Sequence, residues 1–207
     1  MPAKVNEREY REINLGAIEV READDGKKIV EGYATTFDQE YTLYSVGDYE
    51  VRESVDRHAF DETDMSDVIM QYDHEGRVFA RKSNGTLQLE TDEHGLKIRA
   101  NLGGTEIGRQ LYDEIRGGYT TKMSFGFTVS KEERTEEEAD GRTIIHRKIT
   151  GIKKLYDVSA VSLPANDATE ITSRNLGDGL IEEVKQEKLK REARELHKAK
   201  IRLLMEV

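Results

Sequence analysis

The stretch from Thr120 to Val129 reads Thr-Thr-Lys-Met-Ser-Phe-Gly-Phe-Thr-Val, and it decides the fold class of the chain. Its large apolar side chains recur at every second position, at Met123, Phe125, Phe127 and Val129. This period of two predicts a strand with one face in the core. The other face is small and carries Ser124 beside Gly126, which leaves room for another backbone to approach. On this stretch alone, Ser124 is either a solvent-facing serine or a reactive group.

The rest of the sequence predicts many short strands and few helices. Asp25-Gly26 separates two alternating runs and predicts a β-hairpin. Thr105 is a suitable N-cap for a helix that stops at Gly117-Gly118. Residues 132–140 are charged and predict a loop, and residues 143–161 predict a long strand. Because strands do not alternate regularly with helices, we expect an α+β, mainly β fold: an antiparallel β-barrel flanked by helices, with a C-terminal helical tail.

Three regions follow from local composition. Residues 1–13 are polar and charged, and we expect them to be disordered. Residues 14–174 form the folded domain. Residues 175–207 form a linker, marked by Gly177-Asp178-Gly179, and then a charged helical tail with an interrupted apolar stripe. The stripe fits either a docking or coiled-coil helix or a helix folded back on the domain.

Composition excludes several classes of function. The chain has 207 residues and a net charge of −10, which argues against nucleic acid or a membrane surface as the main partner. It has no cysteine and therefore no disulfide or thiolate chemistry. No stretch is apolar and long enough for a membrane span, and the N-terminus lacks the apolar run of a signal peptide. We therefore expect a cytoplasmic protein.

His74 is the best candidate for a general base among the five histidines. It follows the apolar run Val68-Ile69-Met70 in a polar turn, which is a rigid yet accessible position. The alternative is an exposed turn histidine without a function. The sequence has no His-x-x-x-His or His-Glu-x-x-His motif, no Gly-x-x-x-x-Gly-Lys loop and no Gly-x-Ser-x-Gly elbow. We therefore expect neither a metal nor a cofactor.

Ser124 becomes a nucleophile only beside a base, and the base needs a third group that holds its tautomer. Asp157 is the best such acid because it interrupts an apolar strand, where an unpaired charge is costly. Asp73 is the competitor, but adjacent strand residues point to opposite faces. A carboxylate partner is expected to raise the pKa of His74.

Parts of the chain resemble the prohead maturation proteases of tailed bacteriophages. They are Asp73-His74-Glu75, the segment from Gly104 to Gly118 that leads into Met123-Ser124-Phe125-Gly126-Phe127, and the segment from Leu155 to Asn166. The resemblance covers about residues 15–170. It implies a serine endopeptidase, similar in fold to the herpesvirus maturation proteases, with Ser124 as nucleophile and His74 as base. The family often has Glu as its third residue, where this chain has Asp157.

The resemblance also implies a substrate and a place of action. The expected reaction is cleavage of the scaffold, or of the N-terminal scaffolding segment of the major capsid protein, inside the procapsid. The protease would also cleave itself, and before assembly it would lie in the host cytoplasm. Its partners would be the major capsid protein and other copies of itself. The alternatives are a non-enzymatic internal scaffold protein of the procapsid and an esterase with the same three residues.

Overall fold

The computed structural model describes residues 8–13, 19–22, 26–161 and 167–205. Over these residues the strands, in chain order, are β1 (Glu9–Ile13), β2 (Glu19–Glu22), β3 (Lys28–Thr36), β4 (Tyr41–Val46), β5 (Tyr49–Val55), β6 (Ile69–Tyr72), β7 (Glu75–Arg81), β8 (Leu87–Thr91), β9 (Gly95–Asn101), β10 (Lys122–Ala139) and β11 (Arg142–Val161). The helices are α1 (Glu106–Arg116) and α2 (Asp167–Met205).

The long hairpin of β10 and β11 is the centre of the fold. The two strands pair antiparallel from Lys122↔Val161 to Ala139↔Arg142. The turn between them, Asp140-Gly141, has positive φ at both residues (53° and 75°), as tight hairpins with right-handed twist require. The charged residues 132–139 therefore belong to β10, and the predicted loop is wrong. Cross-strand ion pairs such as Arg147–Glu132 explain how so polar a stretch remains a strand.

The strands form two sheets. The larger sheet has the order β1-β10-β11-β5-β4, with β6 pairing β11 and β7 pairing β6. The smaller sheet has the order β2-β3-β9-β8, and the predicted hairpin is the antiparallel pair β2–β3. No described strand of one sheet pairs with a strand of the other, so the mainly β, α+β class is confirmed but the closed barrel is not. The prediction of antiparallel pairing is also wrong for one side of β11, because both β5 and β6 run parallel to this strand.

The main core joins the two sheets to α1. It contains apolar side chains from both sheets, among them Ile98, Phe125 and Phe127, together with Leu111 of the helix. The alternating apolar face of the Thr120–Val129 stretch faces this core, as the sequence predicts.

Thr105 caps α1 as predicted, because its Oγ1 accepts a hydrogen bond from the backbone N–H of Gly108 at 3.0 Å.

The expectation of disorder over residues 1–13 is wrong for Glu9–Ile13. These residues form β1 and pair antiparallel with β10, from Glu9↔Phe127 to Ile13↔Met123. The physical reason is long-range: the edge of β10 and buried acidic side chains elsewhere satisfy the polar groups of this segment. Residues 1–7 lie outside the described part of the chain.

The predicted linker is also wrong, because α2 runs without interruption through Gly177-Asp178-Gly179. The helix packs on the larger sheet through Leu176, Leu180, Ile181 and Val184, which form a second core with Val51 and Ile145. Farther along, Leu189 and Leu196 are 58% and 59% exposed. One part of the tail is thus folded back on the domain and the other is exposed. Neither described helix is apolar over a length that would cross a membrane.

Gly177 provides a test of this packing. A methyl group at this position would lie 2.2 Å from the ring of Tyr44. Helix propensity alone favours alanine over glycine by about 1 kcal/mol, but overpacking costs about 1–3 kcal/mol. We therefore expect Gly177→Ala to lower the free energy of unfolding, measured by urea denaturation. Gly104→Ala is the control, because a methyl group there meets nothing within 4 Å. A more stable Gly177→Ala protein would contradict the close packing of Gly177 against the Tyr44 ring.

Candidate active site

Ser124 lies on the small face of β10, opposite Ser159 of β11. The sequence left a solvent-facing serine open as one of two interpretations, and that one is wrong because Ser124 is 0% exposed. Its hydroxyl contacts His74 Nε2 at 2.6 Å and donates a hydrogen bond to the carbonyl oxygen of Arg11 at 2.8 Å. Ser124 is therefore covered on one side by the turn that carries His74 and on the other by β1.

His74 lies in the two-residue turn between β6 and β7. Both turn residues, Asp73 and His74, have positive φ, at 49° and 60°. Such values are uncommon outside glycine, and a two-residue hairpin turn requires them at both positions. The turn is held in place because the backbone N–H of Asp73 donates to the carbonyl oxygen of Ala160 at 3.0 Å. The histidine thus has a fixed position at the end of a paired strand, as its place in the sequence predicts.

Asp157 lies on β11 directly opposite Gly126. Its Oδ1 contacts His74 Nδ1 at 2.5 Å and accepts a hydrogen bond from Ser159 Oγ at 2.9 Å. The missing side chain of Gly126 is necessary here, because a Cβ atom would lie 2.5 Å from Asp157 Oδ2. From the sequence we expected another backbone to occupy the space beside Gly126. In the structure the carboxylate of Asp157 fills most of that space.

The structure thus brings Ser124, His74 and Asp157 together in one line of contacts. The imidazole lies between a hydroxyl at Nε2 and a carboxylate at Nδ1, the arrangement in which histidine accepts a proton from serine and the carboxylate fixes its tautomer. Asp157, the acid that the sequence analysis favoured as the third residue, is the one that contacts His74 in this line. This is the side-chain constellation of a serine hydrolase.

Two side chains of the β1 segment cover this constellation, and sequence reasoning missed both. Arg8 is ion-paired with Asp157 Oδ2. The ring of Tyr10 lies 4.5 Å from that of His74. Burial, together with the positive charge of Arg8, lowers the pKa of His74 to about 4. The expected rise in the pKa is therefore wrong, because burial, and then the charge of Arg8, outweigh the carboxylate that would have favoured the imidazolium.

A buried charge cluster lies next to the site and was also missed. Arg11 Nε donates to Glu53 Oε1 at 2.5 Å, and Arg147 is ion-paired with the same carboxylate. Burial alone would raise the pKa of Glu53, but Arg11 and then Arg147 outweigh it and lower this pKa to about 2. A signal was present in the sequence, because Glu53 and Arg147 are charged residues at positions where their strands otherwise carry apolar side chains.

Comparison with known proteins identifies the family of the chain. The chain belongs to the family described as Caudovirus prohead serine protease, which matches residues 16–198. It is therefore a serine protease of phage capsid assembly, and the resemblance seen in the sequence is confirmed. A solved structure of the bacteriophage T4 capsid assembly protease is similar, with 14% identity and a TM-score of 0.43 over 75% of this chain and 99% of that chain. No curated protein has a matching sequence.

The pKa of His74 can be tested through Arg8. Arg8→Ala removes a nearby positive charge and frees Asp157 to stabilise the imidazolium, so the pKa should rise from about 4 toward the ordinary value of about 6.5. The measurement is an NMR titration of the imidazole signals, with Ser124→Ala in both proteins to prevent self-cleavage. Arg21→Ala is the control, since this exposed arginine lies on β2 in the other sheet. An unchanged midpoint in Arg8→Ala would contradict the electrostatic role of Arg8.

Proposed function

We propose that this protein is the endopeptidase that cleaves the scaffold, or the N-terminal scaffolding segment of the major capsid protein, inside the procapsid, and that it also cleaves itself. The observation that carries the proposal is the line of contacts from Ser124 through His74 to Asp157, at 2.6 Å and 2.5 Å. Membership of the prohead protease family supports the peptide bond as the target.

Each of the three residues then has one role. Ser124 Oγ bonds to the carbonyl carbon of the substrate as its proton passes to His74 Nε2. The C–N bond breaks, and the departing amine takes that proton. Water then hydrolyses the acyl-serine with His74 again as the base. Asp157 positions the imidazole and stabilises its positive charge, and Ser159 holds the carboxylate. No metal or cofactor has a part in this sequence of steps.

The exposed end of α2 supports contact with other proteins of the procapsid. Beyond Val184 the helix carries Leu189 and Leu196 seven residues apart, which places them on one side of the helix, and both are more than half exposed. Such a stripe suits a helical segment of the capsid protein or a second copy of the protease. Before assembly the protein would lie in the host cytoplasm, and afterwards in the procapsid interior.

The two alternative functions make different demands on the same residues. A non-enzymatic scaffold protein has no need for a serine, an imidazole and a carboxylate in hydrogen-bonding contact, so the geometry favours the enzyme. An esterase would use the same three residues, and only the substrate distinguishes it from a peptidase. The capsid protein is therefore the informative substrate.

Ser124→Ala tests the proposal directly. The variant should fold and enter procapsids, but cleavage of the co-expressed major capsid protein should fall by about 10⁴-fold or more, because the nucleophile is gone. Intact mass measurement of the capsid protein and of the protease reports both reactions. The matched control is Ser45→Ala on the exposed edge strand β4, which should process normally. Processing by Ser124→Ala at the wild-type rate would exclude Ser124 as the nucleophile.

A further inference from the structure

β1 closes the site that Proposed function assigns to catalysis. With β1 in place, Ser124 is 0% exposed and the side chain of His74 is 5% exposed. The carbonyl oxygen of Arg11 accepts the hydrogen bond of the Ser124 hydroxyl, and Tyr10 lies on the imidazole. A peptide can therefore reach Ser124 only if it takes the place of β1.

β1 also has the geometry of a bound peptide. It is an edge strand, paired antiparallel with β10 from Glu9↔Phe127 to Ile13↔Met123, so Ser124 lies within the paired segment. Adding a strand to a sheet edge is a common way in which proteases and binding domains hold extended peptides. β1 lies before residues 16–198, the part of the chain that matches the family.

The side chain of Arg11 shows what this edge selects. It is 1% exposed, with its guanidinium on both carboxylate oxygens of Glu53, at 2.5 Å and 3.0 Å. Tyr41 contacts the same carboxylate, and Arg147 pairs with it from the side. Glu53 is 0% exposed. The main chain of Arg11 thus lies at the nucleophile while its side chain fills a buried acidic pocket.

Glu53 loses its bidentate partner when the strand leaves. The body of the protein contributes two carboxylates and two guanidiniums, with Arg147 on Glu53 and Arg134 on Glu132. The strand contributes Arg11 and also Glu9, which pairs with Arg11 and with Arg147. Without the strand, the buried carboxylate of Glu53 keeps Arg147 but loses both hydrogen bonds from Arg11. An arginine restores the bidentate contact that suits a carboxylate.

We propose that substrates bind as a strand along β10 in place of β1, with an arginine on Glu53, and are cut on the carboxyl side of that arginine. Glu53 is then the residue that determines specificity, and β1 is an internal competitor of the substrate. This inference rests on the proposed peptidase function. The chemistry is that of the serine mechanism: the arginine carbonyl carbon is acylated onto Ser124, the following amine leaves with a proton, and water releases the arginine carboxylate.

The geometry at Arg11 explains why Ser124 does not cleave β1 itself. Attack requires Ser124 Oγ to meet the carbonyl carbon. In β1, the oxygen of the Arg11 carbonyl faces the hydroxyl and accepts its hydrogen bond at 2.8 Å. The segment therefore occupies the site in the manner of an inhibitor. A peptide whose backbone is free to shift along β10 can present its carbon instead.

The test uses the full chain and a synthetic peptide with the sequence of residues 6–17. Position 11 of the peptide carries arginine, or citrulline, which has the same shape without the charge, or leucine. The enzyme is Tyr10→Ala, which loosens β1 without altering the charge cluster, and wild type is the reference. We expect Tyr10→Ala to cut the arginine peptide faster than wild type, between positions 11 and 12. Its kcat/KM should be about 30-fold or more above that for the citrulline peptide, because a buried charge pair is lost.

Glu53→Gln in the Tyr10→Ala background is the matching protein variant. It should lose most of the preference for arginine over citrulline while it still cuts the leucine peptide. Its melting temperature shows whether it has folded, and Arg21→Ala with Tyr10→Ala is the neutral control. If Glu53→Gln does not fold, the arginine-to-citrulline ratio in Tyr10→Ala alone still decides the question.

The outcomes separate this inference from the proposed function. Equal rates on the three peptides, cleavage at another bond, or cleavage of the capsid protein without cleavage of any peptide would overturn the arginine pocket and leave the peptidase in place. If Tyr10→Ala is no faster than wild type, β1 is a permanent strand rather than a competitor. If Ser124 is not labelled by a fluorophosphonate in Tyr10→Ala and the capsid protein remains uncut, the proposed function itself is wrong.

Discussion

The ladder between β10 and β11 is the constraint on which the site depends. Its register sets Ser124 opposite Ser159 and Gly126 opposite Asp157, so the hydroxyl and the carboxylate lie on one face two residues apart. The same part of β11 pairs with β6, beginning at Asp157↔Ile69, and the turn after β6 brings His74 between the two groups. A shift by one residue in either ladder would move a member of the constellation to the opposite face of the sheet.

The sequence predicts those parts of this arrangement that depend on local pattern. A period of two identified the strand of Ser124, and the cost of burying a lone charge singled out Asp157. The closed barrel and the uniformly antiparallel pairing were not predictable in this way. Parallel partners are set by contacts between distant parts of the chain, and β5 meets β11 through pairs such as Arg147↔Glu53. Local composition contains no information about such pairs.

The two segments that were misjudged failed for a common reason. Gly177-Asp178-Gly179 has the composition of a linker, but neighbouring apolar residues bury against the sheet, and Gly177 itself lets the helix approach Tyr44. Residues 9–13 have the composition of a disordered terminus, yet they form a strand in which Arg11 pairs with Glu53. In each case tertiary packing overrides local propensity. The one available warning was a charged residue at an apolar position of a strand, as at Glu53.

The buried charges also explain why a strand held so firmly can still be exchanged. Removing one partner of a buried ion pair is costly because the other charge is left alone. Here Arg147 remains on Glu53 and Arg134 on Glu132 when Arg11 leaves, and Glu9 departs together with Arg11, so the charges that stay in the vacated pocket are still paired. When β1 leaves, Arg8 is removed from Asp157 and His74 becomes exposed. Both changes raise the affinity of His74 for a proton. Access to Ser124 and the proton affinity of His74 are therefore coupled through β1. A substrate strand that carries an arginine makes the same contact with Glu53 that Arg11 of β1 makes.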